Sequence, residues 1–145
     1  MTGRVVRSEK SSPFKANGRE NDGRLDLFVL DVPYKMGPPL HLHASQEDTF
    51  YVVDGVLTVQ LDDEVLELFP GDFATAPPGV AHTFTSGRPE QPVRMVNVMT
   101  PGIGFQHYIE QVNAPDCDMA ALARLNTEFG VEMVGPTLAE RLGLR

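Results

Sequence analysis

The chain has 145 residues, of which 41% are hydrophobic and 22% charged. This size fits one ordinary domain with a hydrophobic core and excludes two substantial domains. The formal net charge of -8 would repel phosphate backbones, which argues against a nucleic-acid partner.

The apolar segments of the chain are short. None approaches the roughly 18 consecutive apolar residues of a membrane span, and the N-terminus lacks the apolar stretch of a signal peptide. We therefore expect a cytoplasmic protein without a membrane partner. The single Cys117 excludes an intrachain disulfide and lacks the partner cysteines of a zinc knuckle.

Charge is unevenly distributed along the chain. Residues 1–20 hold five basic and two acidic side chains, whereas residues 21–145 hold seven basic and eighteen acidic ones. A basic segment of this kind could bind an anion or a nucleic acid. We favour a solvated arm that lies against its own acidic body or against a partner subunit.

Short apolar runs separated by turn signals predict an all-β core from residue 24 to about residue 108. Proline followed by glycine in Phe69-Pro70-Gly71-Asp72 and in Pro77-Pro78-Gly79-Val80 predicts two type II turns, and Asp54-Gly55 and Asp62-Asp63 predict tight reversals. Eight such strands are typical of a sandwich or barrel. The predicted strands are Leu25–Val32, Thr49–Asp54, Val56–Leu61, Val65–Leu68, Phe73–Ala76, Ala81–Thr85, Val93–Met99 and Gly104–Ile109.

Beyond Pro115 the pattern becomes helical. Met119, Leu122, Leu125 and Phe129 share one helix face, Asp116 or Asp118 is available as N-cap, and Gly130 is placed to end the helix. Thr137, followed three residues later by Glu140, predicts a capped last helix through Leu142.

Three of the four histidines form a candidate metal site. His41 and His43 are two residues apart, so on a strand both imidazoles project from one face. Carboxylates follow at Glu47 and Asp48, and His82 comes directly after a predicted turn. Three imidazoles and a carboxylate suit Fe, Ni, Mn, Co, Cu or Zn and leave coordination positions open. His107 has no motif partner, and we expect it to serve packing or the surface.

The segment from Gly37 to Ser86 resembles the two-part signature of the cupin superfamily. The first part is matched by Gly37, His41, His43, an acidic residue at 47 or 48, and Gly55. The second part is matched by Gly71, Pro77, Gly79 and His82, with Ser86 where the family often has asparagine. The wider stretch 24–110 is similar to small quercetin 2,3-dioxygenase-like proteins.

The spacing of the first part departs from the family at one position. Counting back from Gly55 places Asp48, rather than a glutamate, at the acidic position, and Glu47 lies one residue early. Neighbouring strand residues point to opposite faces, so only one of the two can face the metal. We favour Asp48, because it shares a face with Phe50 and Val52, although as the shorter acid it could reach a metal only through water.

The resemblance implies a cupin-type jelly-roll β-barrel with a divalent metal ion inside, and it implies dimers. The corresponding division is a basic arm at 1–22, the barrel at 23–112 and a short C-terminal helical extension at 113–145. Phe50, Val52 and Phe84 are predicted to wall a substrate pocket. The carboxylate of Asp48, or of Glu47 in the other register, is the candidate catalytic base for the enol proton of a substrate, with a pKa raised by apolar walls so that it can accept and hold that proton.

These features favour a metal-dependent oxidoreductase of the dioxygenase type, acting on a small chelating aromatic or enol substrate. Two alternatives stay open. One is a metal-dependent isomerase of a sugar or keto acid, and the other is a non-catalytic module that binds a metal or a small ligand.

Overall fold

Two antiparallel five-stranded sheets pack face to face in the computed structural model, which describes Gly3, Val5 and residues 13–145. The strand order is β1-β2-β9-β4-β7 in the first sheet and β10-β3-β8-β5-β6 in the second. This is the predicted jelly roll. The strands are β1 (Phe14–Ala16), β2 (Asp26–Val32), β3 (Pro39–His43), β4 (Glu47–Asp54), β5 (Leu57–Leu61), β6 (Glu64–Leu68), β7 (Phe73–Ala76), β8 (His82–Ser86), β9 (Val93–Thr100) and β10 (Val131–Thr137).

The core lies between the sheets because alternate strand residues point inward. It contains two apolar clusters. The inner cluster includes Phe50, Val52, Leu57 and Met95, and the outer cluster includes Phe28, Met99, Phe105, Tyr108 and Phe129. Apolar burial on this scale is the main source of stability of such a domain.

Both predicted type II turns are present. Gly71 and Gly79 have φ of 92° and 84°, the left-handed region that a type II turn requires at its third position. Asp72 donates its N–H to Phe69 O at 2.8 Å, and Val80 donates to Pro77 O at 3.1 Å. The second of these turns delivers the chain into β8, which begins at His82.

Three helices accompany the sheets: α1 (Phe105–Val112), α2 (Met119–Phe129) and α3 (Leu138–Leu142). The predictions for α2 and α3 are confirmed. The carboxylate of Asp118 accepts from Ala121 N at 2.8 Å, and Thr137 Oγ1 accepts from Glu140 N at 3.2 Å. Among the described residues, no helix is long and apolar enough to cross a membrane.

The cap of α2 provides a direct test of helix stability. Asp118→Ala leaves an N–H of the first turn without its acceptor, so we expect unfolding to require about 1 kcal/mol less free energy. Urea denaturation measures this difference. Asp116→Ala is the matched control, because Asp116 is equally exposed but does not cap the helix. An equal loss in both variants would contradict the assignment of Asp118 as the cap.

The prediction of a strand over Gly104–Ile109 is wrong, because these residues start α1. The segment is rich in residues with high β propensity, which led to the strand interpretation. Its apolar residues nevertheless fall at helical spacing, with Phe105 and Tyr108 buried and Ile109 and Val112 partly buried against the outer cluster. Tertiary burial of one helix face overrides the local propensity.

Three strands of the structure, β1, β3 and β10, are absent from the eight predicted ones. The spacing of His41 and His43 was interpreted as that of strand residues, but no strand was predicted over Pro39–His43. β10 contains Gly135 and Pro136, which read as strand breakers, but an edge strand tolerates proline because one side of its backbone has no partner. β10 pairs with β3, and the pairing is irregular between Met133 and Thr137. The region 113–145 is therefore not helical throughout.

A second unpredicted strand, β1, lies in the basic arm and pairs with β2, and the ring of Phe14 lies 5.3 Å from that of Phe28. Ten of the 22 residues of the arm, 1–2, 4 and 6–12, lie outside the described residues. The domain boundaries after residues 22 and 112 stay predictions.

Candidate metal centre

Three strands from both sheets deliver four polar side chains to one point inside the barrel. His41 and His43 both face inward from β3, as the spacing predicts, while Leu42 between them points outward and is partly exposed. His82 lies directly opposite His41 across the β3–β8 ladder. Asp48 faces them from β4 in the other sheet. The glycine at 37 lets two backbone segments meet nearby, because a Cβ there would lie 2.0 Å from Phe84 O.

The four side chains form a closed cluster. One candidate ligand atom from each of His41, His43, Asp48 and His82 lies within 4.8 Å of all the others, and all four residues are buried. Asp48 Oδ2 lies 2.9 Å from His82 Nε2 and 3.3 Å from His43 Nε2. Residues of the first motif part (His41, His43 and Asp48) and of the second (His82) are therefore in contact in the folded chain.

Backbone carbonyls orient two of the imidazoles. His41 Nδ1 donates to Pro39 O at 2.8 Å, and His82 Nδ1 donates to Val80 O at 2.9 Å. A carbonyl can only accept, so Nδ1 carries the proton and Nε2 is turned toward the cluster. Burial, reinforced by the neighbouring His82 and His43, lowers the pKa of His41 to about 4. His41 is therefore neutral at pH 7, the form that binds metals.

The hydrogen bonds of the cluster fit a bound cation. Both ring nitrogens of His82 face oxygen atoms, Val80 O and Asp48 Oδ2, yet a neutral imidazole has only one N–H to donate. A cation beside Nε2 would satisfy His82 and Asp48 together. His43 Nδ1 is buried without a hydrogen-bond partner, and His43 Nε2 meets Asp48 Oδ2 at 3.3 Å without the geometry of a hydrogen bond, which is costly unless a ligand completes the site. Nitrogen and oxygen donors of this kind suit divalent transition metals.

Asp48 is held in its ionised form. Burial alone would raise the pKa of its carboxyl, but the imidazoles of His43 and His82 outweigh it and hold the pKa well below its usual range. The expectation of a raised pKa is therefore wrong, because the apolar walls lie behind the imidazoles and the carboxylate meets polar groups first. A carboxylate of this kind is suited to bind a cation, and it is a weak base.

Asn97 is a site residue that the sequence reasoning missed. Its amide Nδ2 donates a short hydrogen bond to Asp48 Oδ1 and a second one to Thr49 O at 3.0 Å. This fixes one carboxylate oxygen and leaves Oδ2 for the imidazoles. The signal was available, because Asn97 is the one polar residue among the inward positions of β9, between Met95 and Met99.

Glu47 lies outside the cluster. It is on the outward face of β4, where its carboxylate accepts a hydrogen bond of 2.7 Å from Thr75 Oγ1 on β7. Adjacent residues of a strand point to opposite faces, so the register that brings Asp48 to the imidazoles turns Glu47 away from them.

Aromatic rings enclose the cluster from two sides. The Phe50 ring lies 5.8 Å from that of His82 and 5.4 Å from that of Phe84, between centroids. On the other side the Phe105 ring meets that of His43 at 5.4 Å. Val52 lies one inward position beyond Phe50 and belongs to the inner cluster. The four polar groups therefore form a layer between the two apolar clusters.

Two open spaces lie beside α2, and no residue of the cluster lines either of them. A cavity of about 280 Å³ is lined by Arg19, Ser45, Ile103, Thr127, Glu128, Phe129 and Gly130. The ring of Phe105 contacts both Phe129 of this cavity and His43 of the cluster. A larger depression of about 420 Å³ lies on the surface of α2 and touches none of the four cluster residues. His107, which we expected to serve packing or the surface, is half-buried beside Phe129.

Comparison with known proteins agrees with this architecture. A family described as "Cupin domain" matches residues 28–99. A quercetin 2,3-dioxygenase of Bacillus subtilis (strain 168) is 29% identical over 112 residues, which cover 77% of this chain and 32% of that protein. The chain thus spans about a third of the length of this curated relative.

Solved structures resemble the fold. The structure of KdgF from Halomonas sp. superimposes with a TM-score of 0.62 at 20% identity, covering 70% of this chain and 96% of that one. An uncharacterised conserved protein with a double-stranded β-helix domain from Klebsiella pneumoniae subsp. pneumoniae MGH 78578 has a TM-score of 0.55 at 24% identity, covering 68% and 85%. At these identities the likeness concerns the fold alone.

Proposed function

The chain belongs to the cupin superfamily, and from the contents of its barrel we propose that it is a metal-dependent oxidoreductase of the dioxygenase type. The observation that carries the proposal is the buried layer of three imidazoles and one ionised carboxylate between aromatic rings. The identity with a quercetin dioxygenase supports it. The proposed substrate is a small aromatic or enol compound that chelates through its own oxygens, such as a flavonol.

The side chains of the site have distinct proposed roles. His41, His43 and His82 would hold the metal through Nε2, and Asp48 would supply the negative charge that balances it. A divalent metal bound there would orient a chelating substrate and stabilise the negative charge that develops on it. With four ligands from the chain, an ion that accepts six has two positions left for a bidentate substrate or for substrate and dioxygen.

The surroundings of the layer favour an aromatic substrate. Phe50 and Phe105 present ring surfaces on opposite sides of the imidazoles, and pockets for small molecules are mostly apolar with a few polar groups that orient the ligand. Burial excludes water, which strengthens every electrostatic interaction at the site. Gln46, two residues before Asp48, is buried as well, and its Nε2 donates to Pro101 O at 2.8 Å while its Oε1 has no hydrogen-bond partner.

Oxygen uptake tests the proposed activity. Protein stripped with a chelator and reloaded with Fe(II), Ni(II), Co(II) or Mn(II) should consume dissolved oxygen when quercetin is added. His41→Ala should abolish this uptake, because it removes a ligand, whereas His107→Ala should keep it. An oxygen electrode measures the uptake by the reloaded protein and by each variant. Product analysis of a parallel reaction without oxygen shows whether turnover depends on it.

Other outcomes would identify the alternatives. Turnover of a sugar or keto acid without oxygen would indicate a metal-dependent isomerase. Tight binding of quercetin with no turnover under any of the four metals would indicate a binding module. Either result would contradict the dioxygenase proposal.

A further inference from the structure

The basic arm brings an arginine to the edge of a cavity. Arg19 lies in the described part of the arm, and with six other residues it lines the cavity of about 280 Å³ beside α2. We call this space the arm cavity. Its volume is close to the lower limit of pockets that bind small molecules. No residue of the metal cluster lines it, so it is a second candidate site.

A buried carboxylate fixes the backbone of the arm at this edge. Asp26 is fully buried, and its carboxylate accepts hydrogen bonds from Gly18 N at 2.7 Å, from Ile103 N at 2.9 Å and from Gly104 N at 3.1 Å. Gly18 directly precedes Arg19, and Ile103 lines the opposite part of the same cavity. Asp26 therefore holds the backbone of two lining segments in a fixed relation to each other.

The side chain of Arg19 is held in place as well. A Cβ on Gly104 would lie 2.7 Å from Arg19 Cγ, so the missing side chain at 104 leaves room for the arginine stem. The guanidinium carbon Cζ lies 5.8 Å from the centroid of the Phe129 ring, where the face of an aromatic ring attracts a cation. The guanidinium is therefore positioned before a ligand binds, which lowers the entropic cost of binding.

The charge of Arg19 has no counter-charge in contact with it. Its guanidinium makes no ion pair and donates no hydrogen bond to any other residue that the structure describes. Two other arginines differ, because Arg88 is paired with Glu67 at 3.0 Å and Arg94 is paired with Asp31 at 2.9 Å. A guanidinium presents its N–H donors in a planar fork that matches a carboxylate. Arg19 can therefore offer these donors to a ligand.

The other lining groups favour a carboxylate that is attached to an apolar body. The hydroxyl of Ser45 is exposed and has no hydrogen-bond partner among residues 13–145, so it supplies a second donor. Thr127 Oγ1 already donates to Ala123 O at 3.1 Å. Phe129 and Ile103 belong to the outer cluster and supply an apolar wall.

One acidic residue, Glu128, also lines the arm cavity and repels an anion there. Glu128 lines the depression on α2 too, together with Arg124. Arg124 precedes Glu128 by one helical turn, a spacing at which opposite charges attract each other. This attraction partly offsets the repulsion by Glu128. Glu20, the next residue after Arg19, does not line the cavity.

We propose that the arm cavity binds a small organic carboxylate. The carboxylate accepts hydrogen bonds from Arg19 and Ser45, and the apolar part of the ligand packs on Phe129 and Ile103. This inference does not depend on the proposed dioxygenase activity, because no ligand of the metal centre lines the cavity. It also gives the basic arm a function, since the arm lies against its own chain and presents a cation to an anionic ligand.

Titration of the unaltered protein with phenylacetate, followed by heteronuclear NMR spectra, tests the site. The amide signals of Ser45 and Gly130, which line the cavity, should shift in a saturable way. A single charge-assisted contact with a small apolar surface predicts a dissociation constant of roughly 1 mM. Benzylamine has the same ring with the opposite charge, so it should leave these signals unchanged.

Three variants test the role of each charge. Arg19→Gln should raise the dissociation constant for phenylacetate at least about tenfold, because it removes the cation that binds the carboxylate. Arg94→Gln is the matched control, because it removes the same charge from an exposed arginine outside the cavity, and it should leave the constant unchanged. Glu128→Gln should lower the constant, because it removes the repulsive charge. Circular dichroism checks that each variant is folded.

Four outcomes would overturn the proposal. The first is the absence of a saturable shift at phenylacetate concentrations up to about 20 mM. The second is equal weakening by Arg19→Gln and Arg94→Gln, which would indicate a general effect of charge. The third is a set of shifts centred on β3 and β8, which would place the anion at the metal centre. The fourth is binding of benzylamine as tight as that of phenylacetate.

Discussion

A His82→Ala variant should retain less than about a tenth of the metal that the unaltered protein carries when both are purified in parallel. His82 lies directly opposite His41 and contacts Asp48 at 2.9 Å, so its loss removes one ligand and releases another from its position. Loss of a group that only orients a ligand already costs 10–100-fold in affinity. Loss of a ligand should therefore cost more. Elemental analysis measures the metal content.

Thermal unfolding distinguishes loss of metal from loss of fold. A metal at 100 times its dissociation constant stabilises the folded state by about 2.7 kcal/mol. A chelator should therefore lower the Tm of the unaltered protein, and it should leave the Tm of His82→Ala unchanged. His107→Ala is the matched control, because His107 is a half-buried histidine outside the cluster and should respond to the chelator normally. Equal metal content in His82→Ala and the unaltered protein would refute the site.

Asp48→Asn should weaken metal binding 10-fold to 100-fold, whereas Glu47→Gln should change it less than about twofold. Both substitutions remove one negative charge and keep the size of the side chain. Only Asp48 faces the imidazoles, while Glu47 accepts from Thr75 on the outward face. Titration with Co(II), followed by its visible absorption, measures the affinity of each variant.

The comparison between the two acids tests the register of β4. A shift by one residue would exchange the inward and outward faces of the strand. It would then be Glu47→Gln that weakens binding, and Asp48→Asn that does not. That reversed pattern would contradict the pairing of Asp48 with Met99 on β9 and with Ala76 on β7.

The identities of the cluster residues could be predicted from the sequence because they depend on short-range geometry. Strand residues two apart share a face, so His41 and His43 had to project together once β3 was a strand. The same alternation placed Asp48 with Phe50 and Glu47 on the other side. Turn chemistry placed Gly71 and Gly79, and capping patterns placed Thr137 and left Asp116 and Asp118 as the two candidates for the cap of α2, of which the structure uses Asp118.

The sequence by itself thus determined two strands of the site, β4 and β8, and the side chains that face inward from them, since a period of two and a turn are local properties. It related His41 and His43 to one face without predicting the strand β3 that carries them. The tertiary structure decided the rest. Only packing shows that Asn97 reaches Asp48 across the β4–β9 ladder, that Phe105 belongs to a helix against His43, and that β10 pairs with the strand of the histidines. These contacts join residues up to 98 positions apart, as in the pair Thr137 and Pro39, and no local pattern encodes them. The pKa of Asp48 also depends on tertiary packing, because packing decides which groups lie beside the carboxyl. Burial among apolar walls alone would have raised this pKa, whereas the imidazoles of His43 and His82 lower it.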